Sequence, residues 1–239
     1  MGFDMYQVST LQALAKGYFY GVCSVDDLLT HGDTGLGTFT GLDGEMIVID
    51  GHCYRADENG MATEVSGEME TPFASLGFLK KDIEFSLDAS SLPEVLARLN
   101  EEVRRAGKNN MYLCRIDGDF EEVYARSESK AELPYQTLAG VLKTNQKEFH
   151  FSHVSGSLVC VYFPSYMDAL NLADWHIHFL SADKKLGGHV FAFSMKKGMA
   201  VMGAADGFTL KVPQDENFQT LDLKDISKKE IENVEKAGE

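Results

Sequence analysis

Strand-like segments arrive in runs along this chain, and the helical patterns stand apart from them instead of alternating with them. That order argues against a regular βαβ array. It predicts an α+β protein, with mixed, strand-rich sheets in two packed halves and peripheral helices. The first run holds Glu45-Met-Ile-Val-Ile-Asp50, His52 to Tyr54, the turn Asp57-Glu-Asn-Gly60 and Ala62 to Val65. A second reads as a hairpin, Met111 to Ile116 and Phe120 to Arg126 around Asp117-Gly-Asp119. The third comprises Glu148 to His153, Ser157 to Tyr162, Trp175 to Leu180, His189 to Met195 and Gly198 to Ala204. The polar stretch Ser127 to Pro134 is the expected boundary between an N-terminal half, residues 1–130, and a C-terminal half, residues 131–239.

Capping signals place the helices. The first 32 residues read as two short ones, opened by Ser9-Thr10 and by Ser24, with Asp26 and Asp27 in the first turn of the second. From Leu92 to Ala106, Ser91 and Glu94 form a capping box around Pro93, Leu92, Leu96, Leu99 and Val103 share a face, and Gly107 ends the helix. A short helix is expected around Thr137 to Thr144. The charged tail from Asp222 is helical in pattern, with a Ser227/Glu230 capping box. Gly35, Gly37, Gly41 and Gly44 fit neither a dinucleotide nor a P-loop fingerprint and read as turns and close backbone approaches.

Charge narrows the function classes. Twenty-two basic against 37 acidic residues give a net charge of −15, which repels phosphate backbones and anionic lipid and argues against nucleic-acid or membrane-surface partners. A small anionic substrate would need a local positive group. The N-terminus Met-Gly-Phe-Asp-Met-Tyr-Gln carries no signal-peptide pattern. Cys23, Cys53, Cys114 and Cys160 form no Cys-x-x-Cys pair. Together these features predict reduced, structural thiols in a cytoplasm.

The chemistry concentrates between Trp175 and Phe193. Alternation puts His176 and His178 on one face of a strand and Trp175, Ile177 and Phe179 on the other. A symmetric turn through the polar loop Ser181 to Gly188 pairs His178 with His189, with Cβ atoms roughly 5 Å apart. Three imidazoles on one face of a β-hairpin form an open-sided ligand set for zinc or a similar divalent ion, with room for water or substrate. A cupin-type metal oxygenase or isomerase shares the His-x-His and later His, but its usual acid has only Asp183 as a partial counterpart. A non-catalytic metal-binding module is the third reading. His150 and His153, three apart, read as structural or surface residues, and His31 and His52 carry no partner signal.

The run His176-Ile-His178 to Gly187-Gly-His189 resembles the zinc motif of the α-acetolactate decarboxylase family. So do His31-Gly-Asp-Thr-Gly-Leu-Gly-Thr38-Phe-Thr-Gly-Leu-Asp-Gly-Glu45, the opening Val8-Ser-Thr-Leu-Gln-Ala-Leu and the block Thr71-Pro-Phe-Ala, so that the likeness spans essentially the whole chain. The resemblance implies decarboxylation of 2-acetolactate to acetoin and carbon dioxide, with zinc on His176, His178 and His189 as the Lewis acid for an enediolate and no organic cofactor. It implies Thr38 as a substrate-binding residue, Arg126 as the group that orients the substrate carboxylate, and Glu45 or Glu235 as proton donor. Arg115 is the alternative to Arg126, because Leu133 stands where the family usually has a basic residue before Pro134-Tyr135. Glu232 is the alternative to Glu235, on nearly the same helical face. A homodimer is implied as well.

Overall fold

Side-chain caps fix the short helices where the sequence places them. The computed structural model describes residues 2–223. Helix α1 (Leu11–Ala15) is capped by the Thr10 hydroxyl, which accepts from Ala13 N at 3.1 Å. Helix α2 (Val25–Leu29) is capped by Ser24, which accepts from Asp27 N at 3.2 Å. Helix α3 (Leu92–Ala106) carries the Ser91/Glu94 capping box, α4 (Leu138–Asn145) the Thr137 cap, and α5 (Glu216–Gln219) ends the described chain. The buried face of α3 is Val95, Leu99 and Val103, with Leu92 and Leu96 partly buried against the same core.

The strands are β1 (Phe3–Val8), β2 (Cys23–Ser24), β3 (Thr34–Thr38), β4 (Glu45–Ile49), β5 (His52–Ala56), β6 (Ala62–Glu64) and β7 (Glu70–Thr71). They continue with β8 (Phe73–Gly77), β9 (Ile83–Ser91), β10 (Met111–Glu128), β11 (Gln146–Phe163), β12 (Asp174–Ser181) and β13 (Gly187–Lys211). Among the described residues, eleven of them form one mixed sheet in the order β10-β11-β12-β13-β1-β8-β3-β4-β5-β6, with β9 on β13; β10 also pairs with β13. The protein is therefore strand-rich α+β with few helices, and strands from both sides of residue 130 share the sheet. Among the described residues no helix is long and apolar enough to cross a membrane.

Five strands depart from the sequence expectation. Met111 to Arg126 is no hairpin but part of one strand of 18 residues, and β11 and β13 likewise run through the breaks expected near Ser155 and Lys197. The reason is packing: Gly118 pairs with both Gly156 and Gly198. A Cβ on Gly156 would lie 2.5 Å from the Phe179 ring, and one on Gly118 2.7 Å from Lys197 O. These glycines serve close approach between neighbouring strands rather than chain reversal. β1 replaces what read as the lead-in to a helix, because its parallel partner, Ala205 to Lys211, is some two hundred residues away and leaves no local pattern. β9 is a second addition, held by β13.

The site is positioned by β4 lying across β11 and β12. Ile47, Ile49, Tyr54, Ala56 and Ala62 pack on Val159 and Leu180 in one buried cluster. In the turn before β4, Gly41 and Gly44 have φ of +77° and +84°, the left-handed region that glycine enters without steric cost. Gly35 and Gly37 meet the backbone of β8 so closely that a Cβ on Gly35 would lie 2.3 Å from Ser75 O.

Candidate metal centre and the buried charges beside it

Strands β12 and β13 pair in the register expected from the sequence, His178 opposite His189 and Phe179 opposite Gly188. His176 follows one pleat along on the same face. Its Nε2 lies 3.1 Å from His178 Nε2 and 3.0 Å from His189 Nδ1. All three rings are buried, with His178 fully enclosed. The Nδ1–H of His178 donates to Met46 O at 2.8 Å, which leaves Nε2 as a lone pair facing its neighbours. Burial lowers the pKa of His178 to about 3 and that of His176 well below the usual histidine range, with the Arg126 charge adding to both shifts. His176 and His178 are therefore neutral, the form that ligates metals.

This donor set fits a divalent ion. A proton on His176 Nε2 can be given to only one of the two nitrogens facing it, so imidazole contacts alone leave lone pairs opposed. A tetrahedral zinc with bonds of about 2.0–2.1 Å would set its nitrogen ligands about 3.3 Å apart, near the spacing seen. Among the described residues this is the group of three or more His, Cys, Asp or Glu side chains that could hold a metal. Asp183, the partial cupin-type ligand, is instead an exposed loop residue accepting from Ser181 Oγ at 2.7 Å.

A buried ion-pair cluster adjoins the imidazoles. Glu45, at the start of β4, places Oε1 3.1 Å from Arg126 Nη1 and Oε2 3.3 Å from His178 Nε2. Arg126, paired in register with His189, also meets Glu128 Oε2 at 3.1 Å through Nη1. Thr38 pairs with Glu45 across β3 and β4, and its hydroxyl donates to Gly44 O at 2.9 Å, which secures the turn. A cavity of about 30 Å³ is bordered by Thr38, Glu45, Arg126, Glu128, His176 and His189, with an apolar wall from Leu14, Phe73 and Leu142.

The structure thus gathers Thr38, Glu45, Arg126, His176, His178 and His189. It puts Arg115 elsewhere, partly exposed and paired with Asp50 and Asp117. Glu232 and Glu235 lie outside the described residues. Glu128 and the Met46 carbonyl were missed. The first could have been found from its place two residues after Arg126 on one strand face, whereas a main-chain acceptor leaves no sequence signal. His52, His150 and His153 are surface residues beside Glu64, Glu122 and Glu121, and His31 stacks on Tyr6 at 3.8 Å. All four cysteines are free and buried, and burial pushes the Cys53 thiol up to about 12.

Residues 5–225 match the sequence model of a family described as Alpha-acetolactate decarboxylase. A relative of that name from Methanosarcina mazei is 38% identical over 97% of this chain and 80% of its own length. Another, from Bacillus subtilis strain 168, is 32% identical over 99% of this chain and 92% of its own. The crystal structure of alpha-acetolactate decarboxylase from Bacillus subtilis strain 168 superposes with a TM-score of 0.94 at 31% identity, covering 98% of this chain and all of that one.

Proposed function

The chain belongs to the alpha-acetolactate decarboxylase family and is a decarboxylase of that kind; on that premise we propose that 2-acetolactate loses carbon dioxide, giving acetoin, at the three-imidazole site. The observation that carries this reading is the meeting of three buried imidazoles with the buried Glu45–Arg126 pair. His176, His178 and His189 would hold a divalent cation, zinc by its all-nitrogen donors, which when bound supplies Lewis acidity to the substrate's ketone and hydroxyl oxygens.

The remaining tasks fall to the chain itself. Arg126 meets the substrate carboxylate and orients the bond to be broken, supplying the cation that a chain of net charge −15 otherwise lacks. Thr38, whose own proton goes to Gly44 O, offers the substrate hydroxyl an acceptor. Apolar side chains at Leu14, Phe73 and Leu142 exclude water and take the substrate's methyl groups. Loss of carbon dioxide leaves an enediolate, and a carbon of that species must then take a proton on one face. In this reading Glu45 takes a proton from solvent and delivers it to that carbon; its two oxygens lie 3.1 Å from Arg126 Nη1 and 3.3 Å from His178 Nε2. Glu235 is the second donor in this reading. The carbonyl of Leu223 accepts from Gln12 on α1, the helix whose Leu14 borders the cavity.

Metal content and turnover test this together. The purified protein is expected to carry about one divalent ion per chain and to release carbon dioxide and acetoin from 2-acetolactate. His176→Ala and His189→Ala should lose both metal and turnover. Full metal occupancy in both variants would remove the imidazoles from the site.

A further inference from the structure

The reaction described above makes no use of the buried carboxylate of Glu128. We propose that Glu128 is a positioning residue for the decarboxylation: it aims the Arg126 guanidinium at the imidazole face and keeps it aimed while Glu45 attends to the substrate. The proposal rests on the reading of Arg126 as the group that meets the substrate carboxylate.

Burial makes the arrangement informative. Arg126 is 3% exposed, Glu128 2% and Glu45 5%. One carboxylate suffices to neutralise a buried guanidinium. A second adds its own desolvation cost and faces repulsion from the first, so neutralisation alone does not account for it. What a second acceptor adds is direction. Both carboxylates bond the same terminal nitrogen, Nη1, at 3.1 Å, but they come from different strands. Glu45 belongs to β4, with Oε1 on Arg126 and Oε2 3.3 Å from His178 Nε2. Glu128 belongs to β10, two residues along from Arg126 and on the same face, so the strand backbone itself fixes their relation. The ring of Phe191, 5.7 Å from Arg126 Cζ, adds a third restraint on the guanidinium. A Glu45 that shifts or changes its bonding during turnover therefore leaves Arg126 still held from its own strand.

The test compares Glu128→Gln in two backgrounds, with kcat, KM, metal content and melting temperature measured for each protein. In the wild-type background Glu128→Gln is expected to lower kcat/KM for 2-acetolactate by about tenfold to a hundredfold, the scale of a misaimed orienting group, with metal content unchanged. In an Arg126→Lys background, where no guanidinium remains to be aimed, the same substitution should cost less than about twofold. Equal losses in both backgrounds would assign Glu128 a general structural role and overturn the proposal, as would wild-type kinetics in Glu128→Gln. Should Glu128→Gln fail to fold, Glu128→Asp keeps the charge and withdraws it by one methylene. It is expected to fold and to lose at least about threefold in kcat/KM, and wild-type kinetics there would again overturn the proposal. The underlying reading fails separately: Arg126→Ala with unaltered KM and kcat would remove Arg126 from substrate binding whatever Glu128 does.

Discussion

Strand β10 carries two arginines with nearly the same wiring and opposite surroundings. Arg115 bonds Asp50 at 2.8 Å and Asp117 at 2.7 Å, while Arg126 bonds Glu45 and Glu128 at 3.1 Å each. In both cases one acid sits two residues further along β10 and the other comes from an end of β4 or the turn that follows it. Side-chain exposure separates them: 24% for Arg115 with acids at 67% and 49%, against 4% for Arg126 with acids at 7% and 3%. Water screens the first triad and makes it a surface clasp worth about 0–1 kcal/mol per pair. Protein encloses the second, where the same contacts become strong, directional and costly to break. Void size misleads here. The glycine row beside Arg115 shapes a trough of about 700 Å³, whereas the cavity beside Arg126 measures about 30 Å³. Converging imidazoles and dry charges mark the site, and the wider hollow has neither.

The contrast can be broken at three points. Arg126→Ala should have the largest effect, stranding two buried carboxylates at a cost of about 3–5 kcal/mol in urea unfolding and lowering kcat/KM more than about a hundredfold. Wild-type stability in that variant would erase the distinction between the triads. Glu45→Gln should come next, retaining metal while turnover falls about a hundredfold. Wild-type rates would take Glu45 out of proton delivery. Arg115→Ala should do least, changing stability by less than about 1 kcal/mol and activity by less than about twofold. A loss on the scale of Arg126→Ala would show that β10 has two sites rather than one.

What could be read in advance followed from local rules. Caps at Thr10, Ser24 and Ser91 located helices because each satisfies backbone donors within three residues. The pairing of His178 with His189 was legible because strand alternation and one short loop determine it. Long-range effects were not legible. Gly118, Gly156 and Gly198 looked like turn residues, and only their alignment across three strands shows why the chain runs straight through. β1 depends on a parallel partner near the other end of the chain. The burial of Glu128 was not legible either, because burial is a property of the assembled sheet and not of the segment. The resemblance of whole motifs identified Glu45 and Arg126, for which spacing alone offered little.

The acceptor that holds His178 is the carbonyl of Met46, part of the main chain. No replacement of the Met46 side chain can withdraw it, since every amino acid brings the same oxygen. The proton on that ring is thus shielded from mutational drift at its own partner. It can be displaced only by an insertion, a deletion or a rerouted β4. Sequences of this kind should therefore exchange Met46 only for apolar residues that fill its buried place, while keeping the length of the segment that carries it.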